Sequence, residues 1–271
     1  MKPKASNKLT PTSVMVPPPN LTVRRIGLVS RDYNQDLGNG YKDFSATVAH
    51  MLPFLDNAGC DLVLFSLYSF IPRKGFDVLA GLELHTVRCL CFEEFVFDRK
   101  GNRKAGTYVV MVRTDDGWRQ HRVQQAFGTL AGQPELVIHR FVQQEFAQRR
   151  ILGNCCLIIC GESNAVKYSP MQKRVVDAFG LRQAIPREVS VILNPVHDRM
   201  TRFEMLYKRR FLSEGNRWVI SVWNKGKINS LGVTRDGTQP AWTVFHNGES
   251  VIAPSIANPW GVEIGIVSIS E

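Results

Sequence analysis

Hydrophobic and polar positions near the start of the chain predict a strand, a helix and a second strand. Residues 22–30, TVRRIGLVS, have the composition of a strand. Apolar side chains recur at the 3.6-residue spacing of a helix over residues 41–57, and the sequence NAG then ends this helix. The continuous apolar run CDLVLFSLYS, residues 60–69, is typical of a strand that is covered on both faces. The three elements together predict a β-α-β unit.

Strands and helices alternate along the rest of the chain. Further strands are predicted over residues 85–97, 106–113, 116–127, 187–195 and 217–225. Helices are predicted over residues 76–82, 134–150, 169–180 and 200–216, where Ser169-Pro170 is a helix start and Gly180 a helix end. Asp236-Gly237 and Asn247-Gly248 are typical of turns. Alternating β and α elements with additional antiparallel strands predict a layered α/β domain.

The composition is that of an ordinary globular protein, with 44% hydrophobic and 21% charged residues in a chain of 271. Residues 1–22 are rich in Pro, Ser, Thr and Lys and lack the apolar segment of a secretory signal, so they are predicted to form a flexible tail. Residues 23–271 contain no low-complexity linker and are predicted to form a single domain. No run approaches the roughly 20 apolar residues that span a bilayer, so no membrane association is expected.

The cysteine positions indicate the cellular compartment and whether a metal or another cofactor is expected. Of the six, Cys89, Cys91, Cys155 and Cys156 lie inside apolar runs, unlike the disulfide framework of a small secreted protein. A reducing, cytoplasmic location is therefore expected. The same cysteines lack Cys or His partners at zinc-site spacing, so neither a metal nor another cofactor is expected.

The net charge of +10 raises the question of a polyanionic partner such as nucleic acid. The basic residues are dispersed over the tail, a predicted loop and the helix at 200–216, which carries Lys208, Arg209 and Arg210. No nucleic-acid-binding motif accompanies them. Solvated basic faces are the simpler interpretation, and nucleic-acid binding stays an alternative.

Residues 151–164, ILGNCCLIICGESN, predict a buried strand that ends abruptly in polar residues. Cys160 is the last residue before this break. In one interpretation its thiol projects from a strand-to-helix elbow as a nucleophile, where backbone N–H groups of the turn can meet an oxyanion. In the other, Cys160 is a small hydrophobe that finishes a buried strand.

The order of these elements resembles the nitrilase, or carbon-nitrogen hydrolase, superfamily over residues 23–271. The segments that carry the resemblance are, in chain order, RIGLVSRDYN, GCDLVLFS, LIICGES, VSVILNP, KRRFLSEGNR, WVISVWNKG and LGVTRDG. The resemblance implies a four-layer αββα sandwich that is frequently paired as a homodimer. It also implies hydrolysis or transfer at an amide or nitrile carbon of a small molecule. In that chemistry a cysteine is the nucleophile, a glutamate the general base, and a lysine stabilises developing negative charge.

Carried over to this chain, the family's nucleophile corresponds to Cys160, and Glu162, the acidic residue that follows it, is a second catalytic candidate. The family's glutamate belongs just past the second strand, where this chain has Ser66 and no carboxylate. Its lysine belongs on the strand at 116–127, which contains no lysine. Two of three catalytic positions therefore depart from the family pattern.

Other side chains are candidates for the altered site. His197 titrates near neutrality and is a candidate base, and Arg122 is a candidate fixed positive charge. Ser66, Asn164 and Asn194 are candidates for substrate binding.

Two functions stay open at this point. General-base assistance is worth about 10²–10⁴-fold and an oxyanion donor about 10²–10³-fold, so losing both removes most amidase activity unless other groups replace them. One hypothesis is a divergent hydrolase that acts on a small amide through a cysteine thioester. The alternative is a catalytically inactive binding or assembly protein with the same fold.

Overall fold

The computed structural model of the protein describes residues 21–32, 44–67, 69–71, 76–94, 107–128, 134–197, 202–226 and 240–269. Most strands in these ranges belong to two large sheets. The first sheet has the order β15-β16-β1-β2-β4-β5-β6, with β3 beside β4. Its strands are β1 (Arg25–Arg31), β2 (Leu62–Phe65), β3 (Phe70–Ile71), β4 (Cys89–Glu94), β5 (Thr107–Thr114), β6 (Gly117–Val123), β15 (Ser255–Ile256) and β16 (Val262–Ser268).

The second sheet has the order β14-β13-β12-β11-β8-β7. Its strands are β7 (Ile151–Leu152), β8 (Cys155–Leu157), β11 (Val191–Pro195), β12 (Trp218–Val222), β13 (Trp242–His246) and β14 (Glu249–Val251). A separate hairpin consists of β9 (Lys167–Ser169) and β10 (Arg174–Val176). In both large sheets the central strands are parallel: β1, β2 and β4 in the first, and β8, β11 and β12 in the second.

Six α-helices are described. They are α1 (Ser45–Asn57), α2 (Phe76–Ala80), α3 (Glu135–Arg140), α4 (Phe146–Arg149), α5 (Leu181–Ala184) and α6 (Phe203–Ser213). A π-helical turn, Phe141–Glu145, joins α3 to α4. The helix predicted over 134–150 is therefore present as α3, this turn and α4 in direct succession. The helices predicted over 76–82 and 200–216 are confirmed as α2 and α6. The helix predicted over 41–57 is α1, and residues 41–43 lie outside the described ranges.

Successive side chains of each strand point to opposite faces of its sheet, and the buried ones form three core layers. Leu64 and Cys91 of the first sheet share one buried cluster with Leu193 and Ile220 of the second, so the two sheets pack face to face. The opposite face of the first sheet packs against α1 and α2. The opposite face of the second packs against α4, α5 and α6. The predicted four-layer αββα sandwich is therefore confirmed.

The prediction of a helix over residues 169–180 is wrong, because this segment contributes to the β9–β10 hairpin. Ser169 Oγ accepts a hydrogen bond from the Gln172 amide at 3.3 Å, which caps a turn and not a helix. Lys173 then adopts φ 51°, a left-handed conformation that breaks helical geometry. Gly180, predicted to end a helix, precedes the first residue of α5.

The segment 151–160 is also not one strand. Its chain turns at Gly153, φ 59°, between the short strands β7 and β8. A β-carbon at Gly153 would lie 1.8 Å from the carbonyl oxygen of Leu21, so this close packing requires glycine. Leu21, which lies within the predicted tail of residues 1–22, is itself buried. Residues 1–20 lie outside the described ranges.

Two further predictions concern turns and membranes. Asn247-Gly248 forms the turn between β13 and β14, as predicted, and Asp236-Gly237 lies outside the described residues. Among the helices that the structure describes, none is both long enough and apolar enough to cross a membrane.

Candidate active site

The carboxyl ends of the central parallel strands from both sheets meet at one edge of the sandwich. Ser66 follows β2, Glu93 lies near the end of β4, and Asn224 follows β12. Cys160 follows β8, and His197 comes two residues after β11. Ligands of parallel α/β sheets generally bind outside the carboxyl ends of the strands, so this edge is the candidate active site.

Cys160 begins a 3-10 helix, Cys160–Ala165, here called the elbow helix. Its backbone adopts φ 42°, the left-handed region that residues with a side chain rarely enter. Such a conformation costs about 1–3 kcal/mol and persists only where surrounding contacts impose it. Cys160 is partly exposed, whereas the other five cysteines are buried thiols. It packs beside Val196 and Trp223. Because Cys160 is partly exposed and begins the elbow helix, it is not a sealed residue of a strand.

Glu162 holds the elbow helix in place from inside the protein. The carboxylate is fully buried and accepts hydrogen bonds from the amides of Ala126 at 2.7 Å and Ile159 at 2.8 Å. It also accepts one from Arg150 Nη2 at 2.6 Å. Burial raises the pKa of Glu162, and Arg150 and the two amides counteract it. These contacts occupy the carboxylate of Glu162, a predicted catalytic residue, and connect it to the framework behind the elbow helix.

The elbow helix is also held by a close backbone contact and by a series of side-chain hydrogen bonds. A β-carbon at Gly161 would lie 1.7 Å from the carbonyl oxygen of Gly128. The same oxygen accepts a hydrogen bond from Asn164 Nδ2 at 3.3 Å, and Lys208 Nζ donates to Asn164 Oδ1 at 2.8 Å. Asn164, predicted to bind substrate, therefore links the loop at Gly128 to α6.

His197 lies close to both Cys160 and Glu93. Its Nε2 lies 3.8 Å from Glu93 Oε2, an ion-pair distance, and the Glu93 side chain is 5% exposed. Burial lowers the pKa of His197, but its interactions with Cys160 and Glu93 outweigh burial and raise this pKa to about 9. At neutral pH the imidazole is therefore protonated, which suits it to stabilise a thiolate and to donate a proton.

Glu93 was not identified from the sequence. Its signal lies in the β4 sequence CLCFEE, where alternate residues Cys89, Cys91 and Glu93 share one face of the strand. Cys89 and Cys91 belong to the cluster between the sheets, so this face, including the Glu93 carboxylate, points toward the second sheet.

Three predicted residues have other partners. Arg122 forms a bidentate pair with Glu94, at 2.7 Å and 3.2 Å, and its guanidinium lies over the ring of Phe76 of α2. It thus lies on the helix-facing side of the first sheet, which corrects its assignment beside the thiol. Ser66 is buried and donates to Asn224 Oδ1 at 2.8 Å. Asn194 is buried and donates to the carbonyl oxygen of Ile158 at 2.6 Å, behind the elbow.

Two cations of α6 behave differently from the sequence expectation. Lys208 and Arg209 are 6% and 2% exposed, so they do not form part of a solvated basic face. Within the described ranges, no group of three or more His, Cys, Asp or Glu side chains is arranged to hold a metal ion.

No protein-family model matches the chain, and no curated protein sequence matches it. Solved structures of similar fold include a carbon-nitrogen hydrolase from Helicobacter pylori, with 12% identity, coverage of 91% of this chain and 89% of that chain, and a TM-score of 0.46. A double mutant of the amidase from Nesterenkonia sp. in complex with acrylamide has 11% identity, coverage of 92% and 91%, and a TM-score of 0.46. A CN-hydrolase superfamily protein from Xanthomonas campestris has 13% identity, coverage of 92% and 91%, and a TM-score of 0.40.

Proposed function

We propose that the protein is a cysteine-dependent hydrolase of small amides, in which Cys160 is the nucleophile, His197 the acid and base, and Glu93 the group that orients His197. The observation that carries the proposal is the contact of His197 with both Cys160 and Glu93 at the edge where the parallel strands end. A nucleophile, a base within reach and a third group that orients the base form the usual arrangement for covalent catalysis.

The reaction proceeds through a thioester. The sulfur of the Cys160 thiolate forms a bond to the amide carbon, and the protonated His197 gives its proton to the departing nitrogen as the C–N bond breaks. His197, now neutral, takes a proton from water, whose oxygen attacks the thioester carbon. The C–S bond then breaks, which releases the carboxylic acid and restores the thiolate and imidazolium pair.

The electrostatic surroundings support this assignment. A thiolate is the nucleophilic form of cysteine, and a neighbouring imidazolium favours it. The carboxylate of Glu93 in turn favours the imidazolium, because opposite charges at short distance stabilise the charged form of both groups. Free thiols at all six cysteines suit a reducing compartment such as the cytoplasm.

Ammonia release from a panel of small aliphatic amides tests the proposal. Turnover is expected for the wild type and for Cys156→Ala, and is expected to be lost in Cys160→Ala. Cys156 is the matched control because it lies on β8, is fully buried, and has a thiol pKa raised by burial. Equal activity in the two variants would remove Cys160 from the reaction.

A second candidate is a binding protein with the same fold. The observation in its favour is that Ser66 and Arg122, which lie where the resemblance places a glutamate and a lysine, are engaged by Asn224 and Glu94. This candidate predicts no turnover of any amide and slow alkylation of Cys160 at pH 6. Rapid alkylation of Cys160 at that pH would count against it.

A further inference from the structure

Three aromatic side chains form a cluster at the surface where α6 meets the β9–β10 hairpin. The rings of Phe203 and Tyr207, one turn apart on α6, have centroids 4.4 Å apart. The ring of Tyr168, on β9, lies 5.3 Å from the Phe203 ring and 5.1 Å from the Tyr207 ring. Phe203 is 57% exposed, and Met171 in the turn of the hairpin is 94% exposed. Apolar side chains that are exposed together, and not singly, indicate an interaction surface.

Cationic side chains accompany these rings, almost without acidic ones. Residues 167–176 and 202–213, which comprise the hairpin, α6 and the residue before α6, contain seven Lys and Arg and one acidic residue. These two segments therefore carry a net charge of +6, more than half of the +10 of the whole chain. Five of the seven cations are exposed: Lys167, Lys173, Arg174, Arg202 and Arg210. The surface thus attracts a polyanion.

Some of these cations lie beside the rings. Arg210 follows Tyr207 by one turn of α6, and its guanidinium carbon lies 5.9 Å from the centroid of the Tyr207 ring. Burial lowers the pKa of Lys208 to about 8, and the charges of Arg202 and Lys167 act in the same direction, so positive charges of α6 and β9 reinforce one another here. We call this surface the aromatic-basic patch, and its members are Lys167, Tyr168, Arg202, Phe203, Tyr207 and Arg210.

We propose that the aromatic-basic patch binds single-stranded nucleic acid, RNA or DNA. Exposed cations neutralise its phosphates, and exposed aromatic rings stack on its unpaired bases. An acidic peptide offers the charge without the flat bases. Three aromatic rings in mutual contact favour stacking on bases over insertion of aliphatic side chains into an anionic membrane. This binding does not depend on the proposed amide hydrolysis.

Fluorescence anisotropy of labelled 20-nucleotide oligo(U) and oligo(dT) with the full chain tests the proposal. The affinity is expected to fall by about 20- to 100-fold between 50 and 200 mM NaCl, because each of roughly three to five phosphate contacts contributes about 0.7 to the logarithmic salt slope. The tighter of the two strands identifies RNA or DNA as the ligand. A double-stranded 20-mer is expected to bind at least about tenfold more weakly than the better single strand, because its paired bases cannot stack on the rings.

Substitutions separate the contribution of the rings from that of the charges. Phe203→Ser is expected to weaken binding by about 5- to 100-fold with the salt slope unchanged, since it removes a stacking ring. Arg210→Gln is expected to weaken binding and to reduce the salt slope by about 0.7. The matched controls are Val78→Ser on α2, where the side chain is 53% exposed, and Arg119→Gln on β6, where it is 60% exposed. Both belong to the first sheet and its helices, and both controls are expected to keep the wild-type affinity.

Circular dichroism checks that each variant folds, and Arg210→Gln keeps the test decisive if Phe203→Ser does not fold. Absent binding at 50 mM NaCl, or equal losses in Phe203→Ser and Val78→Ser, would overturn the proposal. Without oligonucleotide binding, two results would identify another partner for the patch. Sedimentation with phosphatidylserine–phosphatidylcholine vesicles that Phe203→Ser abolishes would indicate a membrane, and a smaller oligomer of Phe203→Ser in light scattering would indicate a second copy of the chain. Ammonia release from amides is expected to be the same in Phe203→Ser and wild type, so failure of the proposed function leaves this test unaffected.

Discussion

Gly161 packs so closely against the carbonyl oxygen of Gly128 that a β-carbon at Gly161 would lie 1.7 Å from that oxygen. The contact joins the first turn of the elbow helix to the segment before α3. Real β-carbon contacts are never this short, and the obstructing atom belongs to the backbone, so an alanine at 161 requires the backbone to shift on at least one side of the contact.

Gly161→Ala is therefore expected to displace the elbow and lower the free energy of unfolding by about 1–3 kcal/mol, the usual cost of overpacking. Urea unfolding measures this loss, and alkylation of Cys160 reports the displaced thiol. Gly128→Ala is the matched control, because the nearest atom to its added β-carbon is Gln125 Nε2 at 3.9 Å. Equal stabilities of the two variants would contradict the requirement for glycine at 161.

A second prediction concerns the buried ion pair of Glu162 and Arg150. Glu162→Gln leaves the Arg150 guanidinium, 5% exposed, without its counter-charge, and breaking a buried pair in this way costs about 3–5 kcal/mol. Urea unfolding is again the measurement. The control is Glu214→Gln, which breaks the exposed pair with Arg182 at 2.7 Å and is expected to cost less than about 1 kcal/mol. A loss no larger than the control would mean that Arg150 finds another partner.

The pH dependence of stability tests the surroundings of His197. Its pKa of about 9 in the folded protein lies above the ordinary 6.5, so folding favours the protonated form. The stabilisation is fully present below pH 6.5 and is lost as the pH rises through 9. The difference in free energy of unfolding between wild type and His197→Asn is therefore expected to be largest near pH 6 and to shrink by pH 9.5.

Urea unfolding at pH 6, 7.5 and 9.5 measures this difference, with His139→Asn as the control at an exposed histidine. The control difference is expected to be small at every pH. A His197→Asn difference that stays constant across the range would show that neither Cys160 nor Glu93 holds the imidazolium.

Much of the fold could be predicted because the sequence patterns that specify its strands and helices are local. The apolar runs of β1, β2 and β11 and the helical spacing of α1 and α6 each lie within a few residues, and the structure confirms them. The segment 169–180 was not predictable in this way. Ser169-Pro170 is compatible with a helix start, but the left-handed backbone of Lys173 reverses the chain into a hairpin that lies beside α6.

The site was predictable only in part, for a physical reason. Cys160 follows from the abrupt end of an apolar run, and His197 from its position after a strand. Their relationship to Glu93 depends on how two sheets face each other, which no local pattern specifies. In the same way, Glu162 and Arg122 are charged side chains near the expected positions. They form ion pairs with Arg150 and Glu94, and no local pattern in the sequence specifies these partners.

A substitution at Ser66 distinguishes a structural role of this residue from a role in substrate binding. Its hydroxyl donates to Asn224 Oδ1 at 2.8 Å, and Asn224 Nδ2 donates to the carbonyl oxygen of Leu67. This connection joins the end of β2 to the end of β12, one strand from each sheet. Ser66→Ala removes the donor to a buried amide oxygen, and an unsatisfied buried group of this kind costs about 1–3 kcal/mol.

Ser66→Ala is thus expected to lower the free energy of unfolding by that amount while the KM for the amide substrate stays near the wild-type value. Ser69→Ala is the matched control, because Ser69 Oγ contacts Ser66 Oγ at 3.1 Å and its loss leaves the bond to Asn224 intact. Its effect on unfolding is expected to be smaller. An increase in KM with unchanged stability would instead place Ser66 in the substrate site, since only a group that contacts the ligand changes binding without weakening the junction between the sheets.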